Sequence, residues 1–360
     1  MSAALSGPAR ALGRGMLVGI EAAFAEQNAA GGVQGRRLEL VVRDDAYEPA
    51  RTAPNMRQLI DEEGVFVVLG NVGTPTAAVA VPIVQEKKVP LWGAFTGAGL
   101  LRHTPPDRYV VNYRASYAQE MAYLIDQLLN ETNIQPEQVA FFTQNDAYGD
   151  AGHSGAMVAL KQRGYVRAER LVRARYTRNT EDVEYAVSQF IDPRNRPKVV
   201  FMVGTAPPCA KMVRLAKQYG LDALFIAVSF VGATALMERL GPLADGIVVS
   251  QVVPHPEKSA LRAATSFRAA LPDAKKRSFV SFEGYLAARF LIEAAKRARF
   301  EQGPDSLIRA IEDGTPIDLG LEEVRSLSQQ NHQLEQSVWP TIIREGQVEP
   351  LASLKNAVRG

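Results

Sequence analysis

Short apolar runs alternate along this chain with longer amphipathic stretches, and many of the runs end in a corner rich in glycine, proline or threonine. An uninterrupted apolar run of about four to eight residues between turn signals reads as a strand buried on both faces. After the loop-like Leu5-Ser6-Gly7-Pro8, the pattern predicts a helix over Ala9–Ala29, stopped by Gly31-Gly32. Strands follow at Arg37–Val42, Val65–Leu69, Val89–Trp92 and Arg108–Arg114, separated by helices at Pro49–Glu63 and Thr76–Lys87. The rhythm then restarts. Helices at Tyr117–Leu129, Gly149–Arg163, Asp182–Asp192, Pro208–Tyr219 and Ala233–Leu240 alternate with strands at Gln138–Thr143, Arg167–Arg175, Lys198–Val203, Ala223–Val228 and Gly246–Val253. Helices over Ser259–Leu271, Ser281–Arg299 and Ser306–Glu312 come next, and Val338–Ile343 closes the chain as a strand turning at Glu345-Gly346.

Two β-α sets in tandem specify an α/β fold of two similarly built lobes, each a parallel sheet flanked by helices. The late helices have no sheet of their own and are expected to return to the first lobe. A length of 360 residues fits two cores rather than one. The near-balanced charge, 41 basic against 39 acidic residues, argues against a dedicated nucleic-acid binder, and the basic runs at Lys275–Arg277 and Lys296–Arg299 read as solvated helix faces. Cys209 is the single cysteine, so no intrachain disulfide forms, and a structural thiol is expected. No apolar run is long enough to span a membrane and no signal peptide is visible. The start of the first strand and a signal peptide are expected upstream of Met1.

In open α/β sheets ligands bind at the carboxyl ends of strands. Two corners stand there in the first set: Gly73-Thr74-Pro75-Thr76, and Ala94-Phe95-Thr96. They combine helix-start N–H groups with the hydroxyls of Thr74, Thr76 and Thr96, a donor set for a small anion such as a carboxylate. Helix capping is the plain alternative. In the second set Tyr148 offers an apolar wall with a polar tip, flanked by Asp146 and Asp150, which either bind an amine or cap a helix. Thr205 and Ser229-Phe230 stand at further corners, and Arg114 and Tyr117 lie where one set hands over to the next. No catalytic constellation accompanies them. His103, His153, His255 and His332 lack metal-ligand spacing, phosphate-loop and nucleophile-elbow patterns are missing, and no metal or cofactor is expected.

Leu5–Pro8, Asn28–Arg36, Asp44-Asp45-Ala46-Tyr47-Glu48-Pro49, Gly73–Thr76 and Asp146-Ala147-Tyr148-Gly149 together resemble the leucine/isoleucine/valine-type solute-binding receptors. The resemblance implies a type I periplasmic binding fold, two Rossmann-like three-layer α/β/α lobes joined by a three-strand hinge. It implies lobe 1 from residues 1–115 and 252–325, and lobe 2 from 116–251 and 326–360. The crossings would lie near Ala115, near Gln251 and within Glu323–Val338. By the same likeness Thr74 and the Ala94–Thr96 stretch hold a ligand carboxylate and Tyr148 closes over it; the corner and handover positions place Thr205, Ser229 and Phe230 in the cleft and Ser6, Arg114, Tyr117 and Asp146 at cleft or hinge.

The implied function is capture of a small carboxylate ligand by hinge closure in the periplasm, with delivery to the membrane permease of an ABC importer. The receptor would be a monomer or weak dimer. A sensor of the same fold is the alternative, and a two-domain enzyme a distant one. Two features depart from the family pattern: no acid stands near Phe230-Val231 to hold an ammonium, and no tyrosine stands near Thr205. Either the ligand is an amine-free carboxylate, aromatic or short-chain, or Asp146 or Glu283 replaces the lost partner.

Overall fold

The computed structural model describes residues 1–357 and divides the chain into two units, Met1–Ala115 with Val253–Ser337, and Ser116–Val252 with Val338–Gly360. Residues 358–360, the end of the expected lobe 2, lie outside the described residues. The chain thus passes between the units three times.

Unit 1 begins with β1 (Ser2–Ala3), α1 (Arg10–Ala29), β2 (Arg43–Asp44), α2 (Pro49–Arg57), β3 (Val68–Leu69), α3 (Thr74–Lys87), β4 (Leu91–Trp92) and β5 (Val110–Val111). β1 pairs in parallel with β2, and β3, β4 and β5 form a second parallel set. The strand expected at Arg37–Val42 is found immediately after that stretch, as the two residues Arg43-Asp44, paired with the two residues of β1, Ser2 and Ala3. Leu38 is instead fixed by the side chain of Asn28, which donates to its carbonyl at 2.9 Å and accepts from its N–H at 2.8 Å. The helix expected from Pro49 to Glu63 loosens into a π-helical turn at Gln58–Glu62.

Unit 2 holds α4 (Tyr117–Glu131), β6 (Val139–Gln144), α5 (Ala147–Gln162), β7 (Arg173–Tyr176), α6 (Glu184–Ile191), β8 (Val199–Val203), α7 (Ala206–Gln218), β9 (Leu224–Ala227), α8 (Ala233–Leu240) and β10 (Val248–Gln251). The chain then returns to unit 1 for α9 (Arg262–Ala270), α10 (Phe279–Ala295) and α11 (Asp305–Glu312), and ends in unit 2 with β11 (Trp339–Arg344) and β12 (Gln347–Pro350). The sheet of unit 2 runs β12-β11-β10-β9-β8-β6-β7, parallel except for the antiparallel β10-β11-β12 edge. β8 is buried at every residue, as a central parallel strand should be. In unit 2, α4 packs on α5 while α6, α7 and α8 form a separate run; in unit 1, α1 packs on α10 and α9 while α2 packs on α3. The mixed α/β architecture is the one that the sequence pattern predicts.

Residues 326–337 belong to unit 1, not to the second lobe as the sequence reading assigned them. Backbone bonding explains this. Asn112 N–H donates to the His332 carbonyl at 2.8 Å, and Leu334 and Glu335 N–H donate to the Asn112 and Tyr113 carbonyls. The segment therefore runs beside the extension of β5 before it leaves the unit.

Unit 1 is closed by α1 and α10, whose backbones touch. A Cβ built on Gly19 would lie 1.8 Å from the Ser281 carbonyl oxygen, and one on Gly284 would lie 2.4 Å from that of Met16. Replacing Gly19 with alanine must separate the helices, an overpacking cost of about 1–3 kcal/mol, visible as a lower urea midpoint. In unit 2, His153 sits edge-on to Phe141 at 5.2 Å. Burial, then the Arg173 charge, pushes its imidazole down to about 4 from an ordinary 6.5. A histidine held neutral in the fold contributes stability above its unfolded pKa and loses it as pH falls toward the folded value. Melting temperature should therefore drop between pH 6.5 and about 4, and His153→Phe should flatten that slope.

Candidate functional site

Each unit presents its corners at strand ends. In unit 1, β3 leads through Asn71-Val72-Gly73 into α3. Gly73 has φ 105°, and a Cβ there would lie 2.1 Å from the Tyr47 ring, so only glycine lets the backbone cross that ring. As the residue preceding α3, Gly73 brings no capping side chain. The first-turn N–H groups of α3 thus have no side-chain cap, at the helix end that carries partial positive charge.

Thr74, the first residue of α3, is fully buried, and its hydroxyl meets that of Thr96 at 2.7 Å. Thr96 Oγ1 also accepts the Ala98 N–H at 3.2 Å. The Phe95 N–H donates to the Asn71 carbonyl at 2.7 Å, which ties the second corner, Ala94–Thr96, to the first. The third hydroxyl reads differently. Thr76 donates to the Val72 and Gly73 carbonyls at 2.5 and 2.9 Å, so it serves the local backbone.

Arg114 is completely buried, with its guanidinium carbon 4.9 Å from the centre of the Phe95 ring and Nη1 3.4 Å from Glu283 Oε1. The guanidinium therefore lies against the residue next to Thr96. Tyr113, its neighbour, is also buried; burial first, then the Glu335 and Glu283 carboxylates, pushes its phenol well above the ordinary range. Arg102 was not anticipated from the sequence. It donates to the Thr96 and Ala98 carbonyls at 3.2 and 3.0 Å and to the Arg114 carbonyl at 3.0 Å, joining the second corner to the segment after β5 that carries Arg114. Nothing in its loop sequence, Leu101-Arg102-His103, signals this. Ser6 lies elsewhere in the unit, its hydroxyl donating to Asp44 at 2.5 Å and its N–H at 3.2 Å. It is an anchor of the loop after β1.

In unit 2, Asp146 caps α5 by accepting the Tyr148 N–H at 3.0 Å. Its other oxygen takes Gln144 Nε2 at 2.7 Å and faces Arg178 at 3.5 Å. Tyr148 donates its hydroxyl to the Gly204 carbonyl at 3.1 Å, and its ring packs on Phe230 (4.6 Å between centres) and Tyr117 (5.2 Å). Thr205 offers its N–H to the Tyr176 hydroxyl at 2.9 Å, while that hydroxyl donates to Gln144 at 2.9 Å. Tyr176 occupies the neighbourhood in which the resemblance expected a tyrosine near Thr205, but it comes from β7. Cys209 is buried nearby, and burial pushes its thiol up, out of the reactive range.

Ser229 donates both its N–H (2.8 Å) and its hydroxyl (2.9 Å) to Glu120, whose Oε2 also accepts the Ser250 hydroxyl at 2.5 Å. Glu120 is fully buried and was missed in the sequence. Its signal was there: it falls on the buried stripe of α4 with Tyr117, Met121, Leu124 and Leu128, where an acid has no ordinary place.

Removing Arg114 would strand the buried Glu283 carboxylate. Arg114→Met is expected to cost about 3–5 kcal/mol of stability, read from denaturant unfolding. The Arg114→Met/Glu283→Gln pair should recover a substantial part of that loss in a double-mutant cycle.

Comparison with known proteins gives one answer throughout. A family model described as periplasmic binding protein matches residues 1–347. A solved structure of a possible leucine/isoleucine/valine-binding protein from Rhodopirellula baltica SH 1 is 45% identical, with a TM-score of 0.93 over 98% of this chain and 95% of that one. A substrate-binding periplasmic protein from Ralstonia solanacearum is 25% identical, with a TM-score of 0.86 over 97% and 98% of the two chains. The Leu/Ile/Val-binding protein of Escherichia coli K12 is 22% identical over 69% of this chain, and the match spans 65% of that protein's length. These relatives are named for binding, not for catalysis, and the chain belongs to the periplasmic binding protein family.

Proposed function

We propose that this protein is a periplasmic solute receptor that captures a small carboxylate lacking a free amine and passes it to the permease of an ABC importer. The carboxylate is held by the hydroxyls of Thr74 and Thr96 and the first-turn N–H groups of α3, with Ala94 and Phe95 shaping that corner. Tyr148 and Phe230 contribute from unit 2, with Thr205 and Ser229 at the neighbouring corners, and the two units close on the ligand about their three crossings. Arg114, Tyr117 and Asp146 act behind this set; Ser6 holds its loop and does not touch the ligand.

One observation carries the amine-free reading. The two acids that would replace the family's ammonium partner each already face an arginine of their own unit, Glu283 with Arg114 and Asp146 with Arg178. A ligand ammonium would then be buried without a compensating charge, at a cost of several kcal/mol. A carboxylate, by contrast, meets a helix start and two hydroxyls. Family membership supports capture and delivery as the task, and a receptor of this kind shuts by drawing on contacts made to ligand by both units.

Isothermal titration against α-amino acids paired with their des-amino analogues tests the reading. Binding of the des-amino acids with weak or no binding of the amino acids is expected; tight binding confined to amino acids overturns it. Thr74→Val removes one hydroxyl donor from a charged acceptor, worth about 1.5–3 kcal/mol. The expected loss of affinity for the best des-amino acid is about 10- to 100-fold.

A further inference from the structure

The first turn of α4 is the common support of three aromatic rings in unit 2. Tyr117 is the first residue of that helix, and a capping box between Ser116 and Gln119 fixes the turn. Tyr117 lies 5.2 Å from the Tyr148 ring and meets Phe230 edge-on at 6.5 Å, while Tyr148 and Phe230 are 4.6 Å apart and tilted by 53°.

The other two rings reach the same turn through contacts that no ligand supplies. α5, which carries Tyr148 near its start, lies backbone-close to it: a Cβ on Gly155 would stand 2.8 Å from Ala118 Cα and 3.3 Å from the Tyr117 carbonyl oxygen. The corner carrying Phe230 is held by Glu120, one helical turn on from Tyr117. Its two oxygens grip the N–H and hydroxyl of Ser229 at 2.8 and 2.9 Å, immediately before Phe230, and Oε2 also binds Ser250 of β10 at 2.5 Å. A two-point grip on Ser229 takes away the freedom of the corner to pivot about that residue. Glu120, Ser229 and Ser250 are all buried, so water does not compete for these bonds.

We propose that Glu120 is a positioning residue for ligand selectivity: by fixing Phe230 against Tyr117 and Tyr148 it makes the site favour flat aryl carboxylates over branched aliphatic ones. This rests on the carboxylate reading above and narrows it to a substrate class. The physical reason is that rings reward a flat partner through offset or edge-on geometry beyond the area they bury, whereas a branched alkyl chain gains only from area. The geometric gain needs the rings held at fixed tilt, and the area term does not. Loss of Glu120 should therefore weaken aryl binding selectively.

The test uses the whole protein with benzoate and isovalerate as probes. Wild type is expected to bind benzoate more tightly. Glu120→Gln keeps the shape but puts an amide N–H₂ against donors, and should weaken benzoate about tenfold while changing isovalerate by less than about twofold. Ser250→Ala, which removes one of the three bonds, should move the ratio in the same direction by less. Gly155→Ala forces α5 from α4 and should also lower the ratio. Near-ultraviolet circular dichroism of the ligand-free protein reads the rings directly, and the tyrosine band should diminish in Glu120→Gln while the far-ultraviolet spectrum is unchanged. Equal losses for both acids, or an unchanged ratio, overturn the selectivity role. If Glu120→Gln fails to fold, the Ser250→Ala and Gly155→Ala ratios decide it. If wild type binds neither acid, the aryl selectivity falls while the carboxylate reading is judged by the des-amino panel, and the tyrosine band then decides whether Glu120 positions the rings.

Discussion

The placement of α10 in unit 1 depends on its direct backbone approach to α1. The two helices are separated in sequence by the whole first passage through unit 2, yet they meet with no side chain between Gly19 and the Ser281 carbonyl. That contact sets where α10 lies over the sheet. α10 in turn brings Glu283 to Arg114, and its Ala287 to the bend after β4, where a Cβ on Gly93 would stand 2.8 Å from the Ala287 methyl. The corner that carries Thr96 follows directly on that bend. The packing of α10 thus bears on the Ala94–Thr96 corner beside the local bonds that shape it.

The electrostatics follow from this placement. A buried arginine is costly unless paired, and α10 supplies the pair. With Glu283 committed to Arg114, the net field at the unit 1 corner comes from the start of α3 and the hydroxyls, both of which favour an anion. On the proposed function, helix packing would bear on the choice between amine-bearing and amine-free ligands as well as corner chemistry.

Local signals made much of this legible. The β-α alternation follows from apolar runs and turn residues, and α8 is found over Ala233–Leu240, as its pattern predicts. The closing hairpin turns at Glu345-Gly346, both at positive φ. The corners at Thr74 and Thr96 follow strands β3 and β4, as the pattern of apolar runs ending in glycine and threonine predicts. What escaped is long-range. Arg102 reads as a loop cation until its three carbonyl partners are known, and residues 326–337 read as a crossing until their bonds to Asn112 and Tyr113 place them in unit 1. Glu120 was an anomaly on an apolar stripe, and its partners Ser229 and Ser250 lie more than a hundred positions away in sequence. Strand length was overestimated for the same reason: β2 can be no longer than the partner β1 allows.

The two units use one device, a strand ending in a corner that starts a helix, for opposite purposes. In unit 1 the α3 corner leaves its first-turn N–H groups uncapped and sets two hydroxyls side by side. In unit 2 the corresponding polar groups bond within the unit: Asp146 to its own helix, Tyr148 to Gly204, Thr205 to Tyr176 and Ser229 to Glu120. Bonding the polar groups of a corner internally leaves its aromatic groups to define its character. On the proposed function, the unit 1 corner would answer to a ligand's charge and the unit 2 corner to its shape.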